Sequence, residues 1–207
     1  MGKTKISVLL PVYNEKENLV PLLDELELVL QSLGKPFEVI AVDDGSSDGS
    51  AELLTEVVRS RPYLRVILFR TNTGQTAALD AGFRHATGDI IATMDADRQN
   101  DPRDLVGMVA KLEEGYDCVA GFRRNRQDGF WLRRLPSMMA NRIIRLMWKS
   151  ELKDLGCAIK AYRKEITDEL RLYGEMHRFI GILLEGLGAR VATYEVNHRP
   201  RTAGKSK

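Results

Sequence analysis

Residues 6–12, ISVLLPV, form a nearly continuous run of apolar, β-prone residues. Such a run marks a strand covered on both faces, as in a parallel sheet with helices on each side. The next segment switches period. In ENLVPLLDELELVLQSL (17–33), Leu19, Leu22, Leu23, Leu26, Val29 and Leu30 follow helical spacing, and Gly34 ends the helix. The alternation then repeats. FEVIAV (37–42) reads as a strand, DDGSSDGS (43–50) as a turn, and residues 51–59 as a helix. LRVILF (64–69) is a third strand, followed by the loop RTNTGQ (70–75) and a helix over 76–86. DIIATM (89–94) is a fourth strand, Pro102 suits the first turn of a helix running to about residue 114, and CVAGF (118–122) is a fifth strand.

Strands and helices alternating at this pace predict βαβ units and a mostly parallel α/β sheet flanked by helices. Ligands of such sheets sit beyond the carboxyl ends of the strands. DDGSSDGS and DADRQND (95–101) both follow strand ends, so both belong on that edge. After residue 122 the pattern changes to a loop with five arginines (123–137), a helix over 138–150 and an extended piece near CAIKAY (157–162). Helices around 163–172 and 176–187 and a last strand, RVATYEV (190–196), complete the reading. No repeat, low-complexity stretch or linker interrupts the chain, which predicts one domain over 1–207.

Composition narrows the class. Apolar residues make up 43% and charged residues 29%, the mix of a globular protein. The net charge of +2 hides an asymmetry: residues 1–119 carry 12 Lys and Arg against 20 Asp and Glu, and residues 120–207 carry 19 against 9. The second half is therefore expected to face something anionic. Cys118 and Cys157 are too few for a disulfide framework and lack metal-ligand spacing. Lys3 and Lys5 lead straight into a strand rather than a signal peptide, and no apolar run approaches the ~20 residues that span a bilayer.

Asp95, Asp97 and Gln99 are spaced two apart, so in an extended segment their oxygens converge on one point. Hard cations such as Mg²⁺ or Mn²⁺ take oxygen ligands of this kind and complete their shells with water or phosphate. Helix capping explains Asp101, which precedes Pro102, but not Asp95 and Asp97. In VDDGSSDGS, Asp43 and Asp44 suit hydrogen bonds to ribose or a base, although Asx turns use the same residues. PVYNE (11–15) either positions a base or lets Asn14 cap the next helix. No G-x-G-x-x-G follows the first strand and no P-loop motif occurs, so neither a dinucleotide fold nor a P-loop is supported.

Taken together, LLPVYNE, VDDGSSDGS, GQTAALDAGFRHATGDIIATMDAD and DLGCAIKAYRKE resemble, in order and spacing, the inverting family 2 glycosyltransferases of GT-A fold. GFRRNRQ…RRLPS and NHRPRTAGKSK are similar to the polyprenyl-phosphate branch, which includes dolichol-phosphate mannosyltransferase and bacterial undecaprenyl-phosphate relatives. The resemblance implies a GT-A (Rossmann-like) domain with a nucleotide-sugar-binding half at 1–122 and an acceptor-binding half at 123–207. It implies that Pro11, Tyr13 and Glu15, with Asp43 or Asp44, line the base site. Asp95 would stand near nucleotide and metal, with Asp97 and Gln99 as metal ligands. Arg123, Arg133, Ser137 and Arg201 would meet the donor diphosphate and the acceptor phosphate. Arg98 stands where the family often has a neutral residue, and its charge is expected to point to solvent.

The residues themselves agree with part of this. Pro136 suits a helix start, leaving free N–H groups around Ser137 beside Arg133, a ready anion site. The expected donor is a nucleotide diphosphate sugar, uridine in preference to guanosine, and the expected acceptor a polyprenyl phosphate. A phosphate monoester is mostly dianionic at pH 7, so it needs no general base. A sugar-hydroxyl acceptor would need one, and Asp154 is the candidate. Segment 135–149 is amphipathic and basic, fitting either a core helix or one lying on an anionic membrane. The implied location is cytoplasmic, peripheral to the inner face of the cell membrane, with the tail of that branch typically running on into membrane helices. Self-association is left open. The rival of another class is a non-enzymatic nucleic-acid-binding module, which leaves the carboxylates without a task.

Overall fold

The computed structural model describes residues 4–123, 152 and 154–201. Strand β1 (Ile6–Val12) leads into α1 (Lys16–Ser32), β2 (Phe37–Asp43), α2 (Ser50–Val57) with a 3₁₀ turn (Val58–Ser60), and β3 (Leu64–Leu68). Then come α3 (Gln75–His85), β4 (Ile90–Thr93), α4 (Asp104–Glu113) and β5 (Cys118–Phe122). The remaining elements are β6 (Lys160–Arg163), the one-turn α5 (Lys164–Thr167), a 3₁₀ turn (Met176–Phe179), α6 (Ile180–Gly186) and β7 (Val191–Glu195). The seven strands form one sheet in the order β3-β2-β1-β4-β6-β5-β7. β6 runs antiparallel to β4 and β5, and the other pairs are parallel. The predicted mostly parallel α/β sheet is therefore present. Among the described residues the second half of the chain adds to this same sheet, with β6 inserted between β4 and β5.

Alternation along β1 explains the two cores. Val8, Leu10 and Val12 face α1 and pack with Leu22, Leu23 and Leu26. Leu9 points the other way and joins Leu79 and Phe83 of α3, with Tyr162 and Ile180 farther along the same face. Burying a Leu or Ile contributes about 1.5–3 kcal/mol, so these two layers dominate the stability of the sheet.

At the amino end of the sheet lies Glu38, only 5% exposed. Its carboxylate accepts hydrogen bonds from the Ser7 hydroxyl (2.6 Å), the Thr87 amide (2.8 Å), the Thr87 hydroxyl (2.7 Å) and Arg65 (3.2 Å). Lys5 Nζ adds an ion pair at 3.5 Å. Burial alone would push this carboxyl up; the hydrogen bonds outweigh it and hold the pKa down at about 2.

Some elements differ from the sequence reading. The helix expected over 163–172 stops at Thr167, whose hydroxyl bonds back to the Lys164 carbonyl at 2.7 Å and competes with the helix ladder. The helix expected over 176–187 is split into the 3₁₀ turn and α6. α4 starts at Asp104 rather than at Pro102, because the Asp101 carboxylate takes the Arg103 amide (3.0 Å) in a turn before the helix. The arginine-rich loop and the helix expected over 138–150 lie outside the described residues, and with them Arg133 and Ser137. Among the described residues no helix is long and apolar enough to cross a membrane.

Candidate active site

Parallel pairing of β1 with β2 and β4 brings the loops after these strands to one edge. The first two loops are tied together. Asn14, in a left-handed conformation (φ 54°), donates its amide to Ser46 Oγ at 2.9 Å and accepts the Ser47 amide at 2.8 Å. Its side chain therefore binds the neighbouring loop and does not cap α1. The first amide of α1, at Lys16, is taken by Asp48 at 3.0 Å. Gly45 (φ +70°) lets this loop lie against residues 71–72, since a Cβ there would come 2.5 Å from the Thr71 carbonyl carbon.

Asp44 accepts the amides of Thr73 (2.7 Å) and Gly74 (2.9 Å), fixing the loop that leads into α3. Together these loops enclose a cavity of about 340 Å³. Pro11, Tyr13, Glu15, Asp44, Asp95, Asp97 and Arg201 are among the residues that line it. Asp43 does not line it; its carboxylate accepts the Ser46 amide at 3.0 Å and its second oxygen has no partner among the described residues. Gln99 is not among the lining residues either; its backbone carbonyl accepts the Arg199 amide at 2.8 Å.

Asp95 and Asp97 present hard oxygen donors to this space. Asp95 accepts one hydrogen bond from Gln75 (2.8 Å). Burial, then the charge of Asp97, push its carboxyl up to about 6 against the pull of Lys160, Gln75 and Arg123. Among the described residues no three His, Cys, Asp or Glu side chains converge on one point. The donor set thus fits a Mg²⁺ or Mn²⁺ ion that takes its further oxygens from a bound ligand, not a closed protein cage. Asp97 also pairs with Arg201 at 2.6 Å, and Arg201 reaches Glu15 at 3.7 Å.

Arg201 arrives on a segment sewn across the acidic loop. The Asn197 amide bonds Asp104, Asn100 and His198 form a β-bridge, and Arg199 pairs with Glu25 (2.7 Å) and Asp101 (2.9 Å). Arg98 is bound as well. Its guanidinium meets Glu25 at 2.6 Å, correcting the expectation that its charge points to solvent. Two arginines thus share Glu25, which lies on α1 directly beside the loop.

A second cavity of about 470 Å³ opens beside the first and shares Pro11, Gln75 and Asp95 with it. Its wall is basic, with Arg123, Lys160, His177 and Arg178. Arg123 holds Asp154 through two contacts, at 2.8 and 3.3 Å, with both side chains largely buried. His177 faces Thr76 Oγ1 at 2.7 Å, and burial lowers its pKa. The sequence reading attaches no role to Lys160 or Gln75, and it takes His177, a lone histidine beside Arg178 ahead of an apolar helix, as structural. The signal for Lys160 was present: a lysine alone in the strand CAIKAY, between apolar neighbours, sits where a charge must have a reason. Gln75 falls within the motif GQTAALDAGFRHATGDIIATMDAD, but no individual role follows for it or for Arg178 from the order of residues. Arg201, expected at the acceptor phosphate, stands in the first cavity beside Asp97.

Comparison with known proteins fits this edge and its loops. The family model described as Glycosyl transferase family 2 matches residues 7–171. Glucosyl-3-phosphoglycerate synthase from Mycobacterium tuberculosis, solved with phosphoglyceric acid, is 21% identical with a TM-score of 0.72, over 96% of this chain and 73% of that one. Mannosyl-3-phosphoglycerate synthase from Rubrobacter xylanophilus is 19% identical with a TM-score of 0.76, over 95% and 68%. A mannosyltransferase from Pyrobaculum calidifontis, solved with GDP-Man and Mn²⁺, is 21% identical with a TM-score of 0.67, over 97% and 58%. At these identities the likeness carries the GT-A fold alone. The family match covers most of the chain, and on that ground the protein is a member of glycosyl transferase family 2.

Proposed function

We propose that this glycosyltransferase moves a sugar from a nucleotide diphosphate sugar, uridine in preference to guanosine, to a polyprenyl phosphate at the inner face of the cell membrane. The observation that carries the reading is the pair of joined cavities, one acidic and one basic, which share Asp95, Gln75 and Pro11. The donor would occupy the first cavity, with its base near Pro11, Tyr13, Glu15 and Asp44. Asp95 and Asp97 would hold the Mg²⁺ or Mn²⁺ ion, which when bound supplies positive charge for the departing diphosphate. Structural neighbours solved with Mn²⁺ and either uridine diphosphate or GDP-Man support this choice of ion and a nucleotide donor.

The acceptor oxygen forms a bond to the anomeric carbon as the bond from that carbon to the diphosphate breaks, and the electron pair leaves with the nucleoside diphosphate. An acceptor already anionic gives up no proton, so no base is needed. The structure's own residues fit that economy of groups. Asp154 is engaged by both arms of the Arg123 fork, a poor state for a base. This disfavours a polysaccharide or protein hydroxyl as acceptor. Arg123, on the wall of the second cavity, is placed to bring two anions together. Arg133 and Ser137 would join it from the segment outside the described residues.

Calorimetric titration with UDP and GDP, each with and without Mn²⁺, tests the donor side. Transfer to an undecaprenyl-phosphate analogue tests the acceptor side. Tight Mn²⁺-dependent UDP binding and sugar transfer are expected; binding of neither nucleotide would overturn the reading.

A further inference from the structure

The second cavity has a floor that the donor and its ion leave unused. Lys160 and Tyr162 stand two apart on β6, so both leave the same face of the sheet, and both line the cavity. Lys160 is 5% exposed, and its Nζ donates to the Cys157 carbonyl at 2.6 Å, its one hydrogen-bond acceptor among the described residues. An ammonium has three N–H donors, so two are left over. Tyr162 is fully buried and packs its ring edge-on to Phe83; its hydroxyl lies near that of Thr93, which donates to Ala158, and makes no well-formed hydrogen bond among the described residues. A buried hydroxyl on a residue that lines a cavity is costly when it lacks a well-formed bond, and a ligand in that cavity could answer it.

The charges say what enters. Arg123, Lys160 and Arg178 line this cavity, and Asp95, at its junction with the donor cavity, is its only lining carboxylate among the described residues. Leu79, Leu155 and Ile180 complete the wall and keep the local dielectric low, which strengthens attraction for an anion. Arg178 is exposed at the mouth and pairs with Glu175 at 3.2 Å, so it can meet an anion from the solvent side.

We propose that this floor seats the phosphate monoester of the acceptor, with Lys160 and Arg178 as cationic contacts and the Tyr162 hydroxyl as a neutral donor; the assignment rests on the glycosyl-transfer reading above. A phosphate monoester carries nearly two charges and three acceptor oxygens, matching a cavity with several cations and a buried hydroxyl. Seated there, it lies next to Asp95 and Gln75, where the two cavities join. The phosphate could belong to a lipid or to a small phosphorylated acid, and the probes below separate the two.

Calorimetry on the protein preloaded with UDP and Mn²⁺ would use farnesyl phosphate and 3-phosphoglycerate as probes. At least one should bind the wild type; which one names the source of the phosphate. Lys160→Met should weaken that probe about tenfold or more, as expected for a charge-assisted contact, and Lys160→Arg should retain most of the affinity. Tyr162→Phe, which keeps the ring, should weaken it about threefold. Affinity for UDP–Mn²⁺ should stay within about twofold in Tyr162→Phe and Arg178→Gln. If Lys160→Met fails to fold, Tyr162→Phe and the exposed Arg178→Gln carry the test. Unchanged probe affinity in these variants would overturn the assignment. So would a wild type that binds UDP–Mn²⁺ but neither probe, while leaving the donor site standing. A wild type that fails to bind UDP–Mn²⁺ would bring down the donor site and this assignment together.

Discussion

Glu38 and Asp95 are carboxylates at opposite ends of one sheet, and their surroundings push them in opposite directions. Glu38 collects four hydrogen bonds and two cations, and sits at about 2. Asp95 has one amide donor and a like charge two residues away, and sits at about 6. The first arrangement satisfies a charge within the protein. The second leaves a charge waiting for a ligand. Frame and site are therefore distinguishable by how completely their polar groups are answered, even though both are largely buried.

Substitutions at the two ends should separate along this line. The largest effect expected is on transfer. Asp97→Ala should lower turnover by about 10²–10³-fold, the scale of losing one electrostatic stabiliser, with a melting temperature close to wild type. Retained transfer in a folded variant would sink the metal assignment. At the other end, Glu38→Ala should cost about 2–3 kcal/mol by stranding Ser7, Thr87 and Arg65, lowering the melting temperature by several degrees, while kcat at a permissive temperature stays unchanged.

The pH dependence has a definite sign. Because Glu38 is held below its unfolded value, its contribution is complete above about pH 4.5 and is lost as pH falls toward 2. The gap between wild type and Glu38→Gln in urea midpoint should therefore narrow across that window. Asp95→Asn should do the reverse of Glu38→Ala, raising metal-free stability at pH 7 by about 1 kcal/mol through relief of the cost of burying a carboxylate and of repulsion with Asp97, while abolishing transfer. A fall in stability would remove the contrast between the two ends. The smallest effect, about 0.5 kcal/mol or less in thermal melts, is expected for Arg98→Gln, which gives up a half-exposed ion pair with Glu25.

Much of the frame could be read from the chain. The strands of the first half lie within a residue or so of their expected limits, because ISVLLPV, FEVIAV and LRVILF are bounded by turn-forming residues. The same patterning placed Asp44, Asp95 and Asp97 on one edge, the resemblance added Tyr13 and Glu15, and the structure brings all five to one cavity. What the chain hid was lateral. That β6 inserts antiparallel between β4 and β5 depends on pairing between segments about 40 to 70 residues apart, which no local period encodes. The basic cavity follows from that insertion, so Lys160 and Tyr162 could be read as core residues of a strand but not as neighbours of Asp95. Arg98 was misplaced for a related reason: its partner, Glu25, lies 73 residues away on α1.

The stitching of residues 196–201 over the acidic loop bears on how the enzyme is born. The carboxylates of DADRQND leave the ribosome about 100 residues before Arg199 and Arg201, their counter-charges. Throughout that interval the loop has its repulsion without its clasp, so the first cavity is among the last parts of the molecule to set. A chain cut before residue 197 would keep all six strand pairings of the sheet, yet leave the carboxylates of the acidic loop to solvent ions for neutralisation.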